Sequence, residues 1–210
     1  MRWILLLTVL AFSPAWANPQ LDAAVAAYER GQLKTARIAF AQLAKQKVPA
    51  ADYNLAVMHL RGEMPRSRTR EGLRLMTRAA DAGFVTAMAG LGELYEQGAT
   101  GIPANAERAR QWHERAADAG SVESQLTVAT AHYLGRGAPL DKSIAARRYR
   151  QAAQAGDVGA QYLYASMLET GDGIPQDLNE ARYWYGAAAR SGDEAAPQPK
   201  DVLTNSAWYL

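Results

Sequence analysis

Few residues of this chain could do catalytic or metal chemistry. It contains no cysteine and three histidines, His59, His113 and His132. Without cysteine there is no disulfide, no thiolate zinc site, no Fe–S cluster and no cysteine nucleophile. The three histidines stand far apart in the chain, and none has a second histidine at a metal-ligand spacing. The sequence therefore predicts no metal site.

Nucleophilic and phosphate-binding patterns are missing as well. There is no G-x-S-x-G turn, no serine followed three residues later by lysine, and no glycine-rich phosphate loop. Glu93 and Glu96 share one helical face, but such carboxylate pairs are usually solvated rather than catalytic. We expect no catalytic residues and no cofactor, and so no enzymatic activity.

The most informative feature is an internal repeat. An Ala-Ala-x-x-Gly segment ends at Gly83, Gly120 and Gly156, and Ala188-Ala189-Arg190-Ser191-Gly192 continues the series. A second glycine series keeps the same interval of 36 or 37 residues, at Gly62, Gly98, Gly135 and Gly171. Two landmarks with one period indicate stacked supersecondary units.

Each unit is predicted to be a pair of helices. Leu91, Leu94 and Tyr95 are spaced as on one helical face, and a Gly- and Pro-containing turn follows. Polar residues then stand where the N-cap of a second helix belongs, at Asn105, Asp141 and Asp177. Asp177 to Glu180 also has the pattern of a capping box. The alanine-rich composition suits close helix packing.

These residues resemble the Sel1-like repeat, a relative of the tetratricopeptide repeat. The clearest copies are Ala87 to Gly120 and Ala160 to Gly192, and the landmarks that carry the likeness are Leu91-Gly92, Tyr95, Gly98, Trp112, Gly171-Asp172-Gly173, Asp177 and Trp184-Tyr185. Weaker copies span 51–83 and 124–156. The segment 21–46 resembles a tetratricopeptide-type hairpin, with Ala27-Tyr28 and Gly31 before Phe40.

The resemblance implies an all-α protein, an α/α solenoid of about five helical hairpins. The expected organisation is an N-terminal hairpin at 18–48, four repeats at about 49–83, 84–120, 121–156 and 157–192, and a C-terminal segment at 193–210. In that segment Pro197 and Pro199 predict a linker, and a final helix is expected to cap the solenoid. A docking peptide for another protein is the alternative. The register also places the three histidines at packing positions between helices.

The N-terminus has the pattern of a secretory signal peptide. Arg2 precedes an apolar run of about ten residues, which is too short to span a bilayer, and Ala15-Trp16-Ala17 has the form of a cleavage site. We expect cleavage after Ala17, a periplasmic or secreted protein, and no stable membrane span afterwards. The formal net charge of +2 gives no drive toward nucleic acid.

Two surfaces are candidates for binding. By the resemblance, the first helices line a concave face, whose candidate residues are Asp52, Tyr53, Glu93, Glu96, Gln125, Thr130, Tyr133, Gln161, Tyr162 and Ser166. Tyr53 and Tyr162 share one repeat position and fit packing equally well. The second surface is an arginine patch of Arg70, Arg74 and Arg78, spaced by four residues on one helix, which is either solvated or binds an acidic partner.

The sequence thus predicts an exported adaptor or scaffold that binds another protein of the cell envelope. Two alternatives remain. One is a glycan-binding or carbohydrate-active protein that uses the arginine patch on an anionic glycan, and the other is a periplasmic regulator of a membrane signalling protein. The identity of the partner does not follow from the sequence.

Overall fold

A computed structural model describes residues 18–191. The predicted signal peptide and the predicted C-terminal linker and cap lie outside these residues. The described chain is ten α-helices in five hairpins: α1 Pro19–Glu29, α2 Leu33–Lys45, α3 Pro49–Leu60, α4 Thr69–Asp81, α5 Val85–Gln97, α6 Ala106–Asp118, α7 Val122–Leu134, α8 Lys142–Gln154, α9 Val158–Thr170 and α10 Leu178–Arg190. The predicted all-α solenoid is confirmed.

The helices begin and end for the local reasons that the sequence indicated. Asn105, Asp141 and Asp177 all cap their helices, and Asp177 accepts hydrogen bonds from the amides of Asn179 and Glu180. The reciprocal half of the predicted capping box does not form, because the Glu180 carboxylate accepts hydrogen bonds from Tyr164 and Trp184 instead. This carboxylate therefore ties α9 to α10.

A tight turn separates consecutive hairpins, with Lys47 at its positive-φ position after α2 and a glycine after α4, α6 and α8. After α6, Gly120 has a φ of 94° and the amide of Ser121 donates to the carbonyl of Ala116 at 2.9 Å. This is a Schellman ending, which an L-residue with a side chain disfavours at the glycine. The turn directs the chain straight into α7.

Alanines at fixed register let neighbouring helices approach closely. The second helices bury one alanine in every repeat, at Ala79, Ala116, Ala152 and Ala188, each with no exposed surface. A larger side chain at these positions would overpack the interface between helices. Helices stack in chain order, each packing against the one before and the one after it.

The apolar core is not continuous along the stack. One buried cluster runs from Ala24 to Ala116 and a second from Ala129 to Tyr185. At the junction, α6 and α7 bury polar side chains instead: His113, Ser124, Gln125 and His132. The second and third repeats therefore meet through a polar interface.

Candidate functional site

Three residues predicted for the binding face are buried parts of the scaffold. Asp52, Gln125 and Gln161 occupy one register position and are 4%, 7% and 6% exposed. The amides of Gln125 and Gln161 donate to the carbonyls of Ala117 and Ala153, near the C-termini of the preceding second helices. Gln125 and Gln161 thus bond carbonyls near helix ends, Asp52 pairs with Arg78, and all three are buried in the stack rather than exposed on a surface as predicted.

The tyrosines predicted for the same face also hold the fold together. Tyr53 is 5% exposed and its ring packs against Phe84 with centroids 5.4 Å apart. Tyr162 is half-buried and packs edge-on against Tyr185. Burial raises the pKa of Tyr53 to about 12. The structure shows Tyr53 as a buried packing residue.

Tyr133 is fixed in an interface between repeats. Its hydroxyl donates to Asp172 at 3.1 Å, and the ammonium of Lys142 binds the same carboxylate at 2.6 Å. The ammonium also lies 5.2 Å from the centroid of the Tyr133 ring. Tyr133 is half-buried, so its removal would first disturb the junction between repeats 3 and 4.

The arginine patch is largely paired within the protein. Arg74 makes a bidentate ion pair with Glu71, with distances of 2.9 and 2.6 Å. Arg78 makes a bidentate pair with the buried Asp52, and its Nε lies 2.6 Å from Oδ2. All three arginines are exposed, but two of the three charges are already neutralised. These internal ion pairs weaken the attraction that the patch would exert on an anionic partner.

The remaining predicted residues lie on an accessible surface. Glu96 and Thr130 are exposed, and Glu93 and Ser166 are half-buried. Register places Glu93, Thr130 and Ser166 at one position of α5, α7 and α9. We call the exposed and half-buried positions on this side the first-helix face: Glu93, Glu96, Glu123, Leu126, Thr127, Thr130, Leu134, Leu163 and Ser166.

Sequence reasoning did not single out the exposed leucines of this face. Leu134 is 50% exposed and Leu163 is 41% exposed. Together with Glu96, Leu126 and Thr130, Leu134 lines an open depression between α5 and α7. The repeat register could have indicated Leu163, because the equivalent residues in the preceding repeats are Gly90 and Thr127, which are not large apolar packing residues.

A cavity of about 290 Å³ adjoins this depression at the polar junction. It is lined by Glu96, Ala104, Ala106, Ala109, Arg110, His113, Thr127, Val128, Ala131, His132, Arg136, Gly137 and Ala138. Most of these side chains are small, so the cavity exists because the junction is not filled. Glu96 and Arg136 line both the cavity and the depression.

The imidazole of His113 forms one wall of the cavity and is 4% exposed. The Ser121 hydroxyl donates to Ser124 Oγ at 3.1 Å, and Ser124 Oγ lies 3.3 Å from His113 Nδ1. With the Ser124 hydroxyl donating its hydrogen bond to Nδ1, the hydrogen of the neutral imidazole is on Nε2. Nε2 makes no hydrogen bond and lies 3.4 Å from Oε1 of Glu96.

The Glu96 carboxylate lies beside this nitrogen, and Glu93 and Glu123 are near enough to interact electrostatically with Glu96 or His113. Burial raises the pKa of Glu93, and the nearby charges of Glu123 and Glu96 raise it further. Burial also lowers the pKa of His113, against a smaller opposing effect of Glu96 and Glu123. A neutral imidazole supplies no counter-charge, so this end of the first-helix face is acidic.

In the described part of the chain, no group of three or more His, Cys, Asp or Glu side chains could hold a metal ion. Among residues 18–191, no helix is long and apolar enough to cross a membrane. The first-helix face offers two exposed leucines, Leu134 and Leu163, and the Thr130 hydroxyl, which lies 3.0 Å from the hydroxyl of Tyr149.

Comparisons with known proteins agree with the repeat architecture. The family model for the Sel1 repeat matches residues 49–84, 85–121, 122–157 and 158–193. The crystal structure of a Sel1 repeat protein from Oxalobacter formigenes is similar, with 30% identity and a TM-score of 0.67 over 84% of this chain and 74% of that one.

Two further structures match with TM-scores below 0.5. One is a protective antigen of uropathogenic Escherichia coli with an SLR fold, at 22% identity and a TM-score of 0.44, matching 87% of this chain and 47% of the antigen. The other is an immunity protein from Pseudomonas aeruginosa, at 14% identity and a TM-score of 0.41, matching 91% of this chain and 89% of that one. No curated protein matches the chain. Four matched repeats that fill residues 49–193 show that the chain belongs to the Sel1 repeat family.

Proposed function

We propose that this protein is an exported adaptor of the cell envelope that binds a partner protein through its first-helix face. Sel1 repeat proteins generally mediate protein–protein interactions, and the family is typically a non-enzymatic scaffold. The signal-peptide pattern of residues 1–17 supports the cellular location.

The observation that carries the proposal is the difference between the first repeat and the later ones. In α3, Tyr53 and Val57 are buried, 5% and 2% exposed. At the equivalent positions of α7, Leu126 is half-buried and Thr130 is exposed. The same side of the first helices is therefore closed in α3, only partly open in α5, where Ala89 is buried and Glu93 half-buried, and more open in α7. Solvent-exposed leucines on such an open surface favour a protein partner.

The structure gives less support to a glycan-binding function. That alternative depended on Arg70, Arg74 and Arg78, and the ion pairs of Arg74 and Arg78 are internal. No observation on the described residues favours a regulator of a membrane signalling protein over an adaptor.

The test is chemical crosslinking in intact cells, followed by fractionation and mass spectrometry of the tagged protein. Leu163→Arg places a charge on the first-helix face, and Ile38→Arg makes the same change at a 44% exposed position of α2. We expect one envelope protein to be captured from the periplasmic fraction by the wild type and by Ile38→Arg, and lost with Leu163→Arg. Capture that survives Leu163→Arg would contradict the proposed face, and recovery of the protein in the cytoplasm would contradict export.

A further inference from the structure

Ion pairs connect the outer sides of consecutive second helices in the first three repeats. Arg115 of α6 binds Asp81 of α4 at 3.1 Å. In the same way, Arg148 of α8 binds Asp118 of α6 at 2.6 Å. The two aspartates share one register position, which Gln154 occupies in α8. The series therefore stops at α8, and among the described residues no ion pair joins α8 to α10.

The helix α8 carries an excess of positive charge. It contains four basic side chains and no acidic one. Lys142 and Arg148 are held in ion pairs, whereas Arg147 and Arg150 are exposed and lie within ion-pair distance of no carboxylate in the described part of the chain. The preceding second helix, α6, is balanced by comparison, with Arg108, Arg110 and Arg115 beside Glu107, Glu114 and Asp118. The outer side of α8 therefore presents two arginine charges that the described residues do not neutralise.

An exposed aromatic ring accompanies these arginines. Tyr183 of α10 occupies the register position of Arg147 in α8 and is 60% exposed. Since the ion pairs show that consecutive second helices lie within side-chain reach, this position places Tyr183 beside Arg147. The Tyr183 ring packs edge-on against Trp184 with centroids 5.1 Å apart, and the Trp184 indole nitrogen donates to Glu180 at 3.3 Å. The ring is therefore held in position while most of its surface stays open.

The polar character of this surface indicates what it binds. Every residue exposed on α8 is polar: Ser143, Arg147, Arg150, Gln151 and Gln154. A protein interface usually buries an apolar centre, which α8 does not supply. Its guanidinium, amide and hydroxyl groups instead match the carboxylates and hydroxyls of an acidic polysaccharide, and Tyr183 adds an apolar ring face on which a sugar ring can stack. Two unpaired arginines are also fewer than the basic clusters that recruit membranes or nucleic acids.

We propose that the outer side of α8 and α10 binds an acidic polysaccharide, with Arg147 and Arg150 pairing with its carboxylates and Tyr183 stacking on a sugar ring. The planar guanidinium of arginine binds a carboxylate through two parallel hydrogen bonds, which suits it to this role. The surface belongs to second helices of the last two repeats, so it is distinct from both the first-helix face and the predicted arginine patch of α4. The proposal is therefore independent of the proposed protein-binding function.

The test measures binding of a fluorescein-labelled oligogalacturonate to the purified protein at low salt by fluorescence anisotropy. One variant that combines Arg147→Gln and Arg150→Gln should weaken binding at least about tenfold. Tyr183→Ala should weaken it about fivefold, whereas Tyr183→Phe keeps the ring and should bind like the wild type. The control combines Lys34→Gln and Lys45→Gln, which remove two charges from exposed positions of α2, and should leave binding unchanged.

Other ligands and variants separate this proposal from its competitors. An uncharged maltooligosaccharide should not bind, and Leu163→Arg on the first-helix face should leave oligogalacturonate binding unchanged. If the wild type does not bind oligogalacturonate, or if the α2 control weakens binding as much as the α8 variant, the site is refuted. If a polyglutamate peptide or phosphatidylglycerol vesicles bind more tightly than oligogalacturonate and lose affinity with the α8 variant, the occupant is an acidic protein segment or a membrane surface, and the polysaccharide is refuted.

Discussion

Gly92 of α5 packs directly against the imidazole of His113, and Gly90 in the same helix serves as the control position. A Cβ atom at residue 92 would lie 2.5 Å from His113 Nε2, whereas a Cβ at Gly90, two residues earlier in α5, would meet Met76 Sδ at 3.5 Å. The first distance is a clash and the second an ordinary van der Waals contact. The same substitution in the same helix should therefore have opposite effects at these two positions.

The magnitudes follow from two contributions. Replacing glycine by alanine inside a helix stabilises by about 0.5–1 kcal/mol, and both variants gain this equally. Overpacking costs about 1–3 kcal/mol and applies only to Gly92→Ala. The two variants should thus differ by about 1–3 kcal/mol in the free energy of unfolding, with Gly90→Ala more stable than the wild type.

The assay is urea denaturation followed by circular dichroism, with the melting temperature as a second measure. For a chain of this size, 1 kcal/mol corresponds to a shift of about 2–4 °C. In a His113→Ala background the clash is absent, so Gly92→Ala should become stabilising like Gly90→Ala. Equal effects of the two alanine substitutions in the wild-type background would refute the close packing of Gly92 on His113.

Three further predictions concern charged and titratable side chains of α3 to α6. Arg78→Met leaves the buried Asp52 carboxylate unpaired and should lower the free energy of unfolding by about 2 kcal/mol. Arg74→Met breaks only an exposed ion pair and should lower it by less than about 0.5 kcal/mol in the same urea titration, and equal losses would contradict a structural role of Arg78. The folded-state pKa of Glu93 is raised, so ionisation of its carboxyl destabilises the fold as the pH rises through that pKa. Glu93→Gln should therefore raise the free energy of unfolding by about 0.5 kcal/mol at neutral pH but not near about pH 4, and an equal gain at both pH values would contradict this reasoning. The folded-state pKa of His113 is lowered, so the free energy of unfolding of the wild type should fall as the pH drops below about 6.5. The His113→Tyr variant should lack the part of this loss that comes from His113, and identical pH profiles would contradict a neutral buried imidazole.

The repeat pattern was enough to predict the fold. Glycine series such as Gly98, Gly135 and Gly171 mark positive-φ helix endings, and caps such as Asp141 mark helix starts. Both are local properties of backbone and side chain, so they can be identified without tertiary information. The alanine columns then set how closely the helices pack.

The binding face could be predicted only in part, because exposure depends on the neighbouring repeat. Asp52 and Gln125 are polar and lie on first helices, as surface contacts would, yet partners from second helices bury them. The cavity is the converse case. It is lined by small side chains such as Ala106. The next repeat has Lys142 at the same register position, and only that comparison shows that a long side chain is replaced by a short one.

The acidic environment of His113 was also beyond sequence reasoning. His113 and Glu96 are seventeen positions apart and belong to different helices of one hairpin, so no short motif connects them. Their 3.4 Å approach follows from how α5 packs on α6. Register alone predicted that His113 is a packing residue, and its burial confirms that interpretation.

The most direct test of the central claim is photocrosslinking in living cells from single positions. The photoreactive residue p-benzoylphenylalanine would replace Leu134, 50% exposed on the first-helix face, or Tyr183, 60% exposed on α10. A protein-binding first-helix face predicts a discrete adduct with one partner protein from position 134 and none from position 183. No adduct from position 134, or the same adduct from both positions, would contradict it.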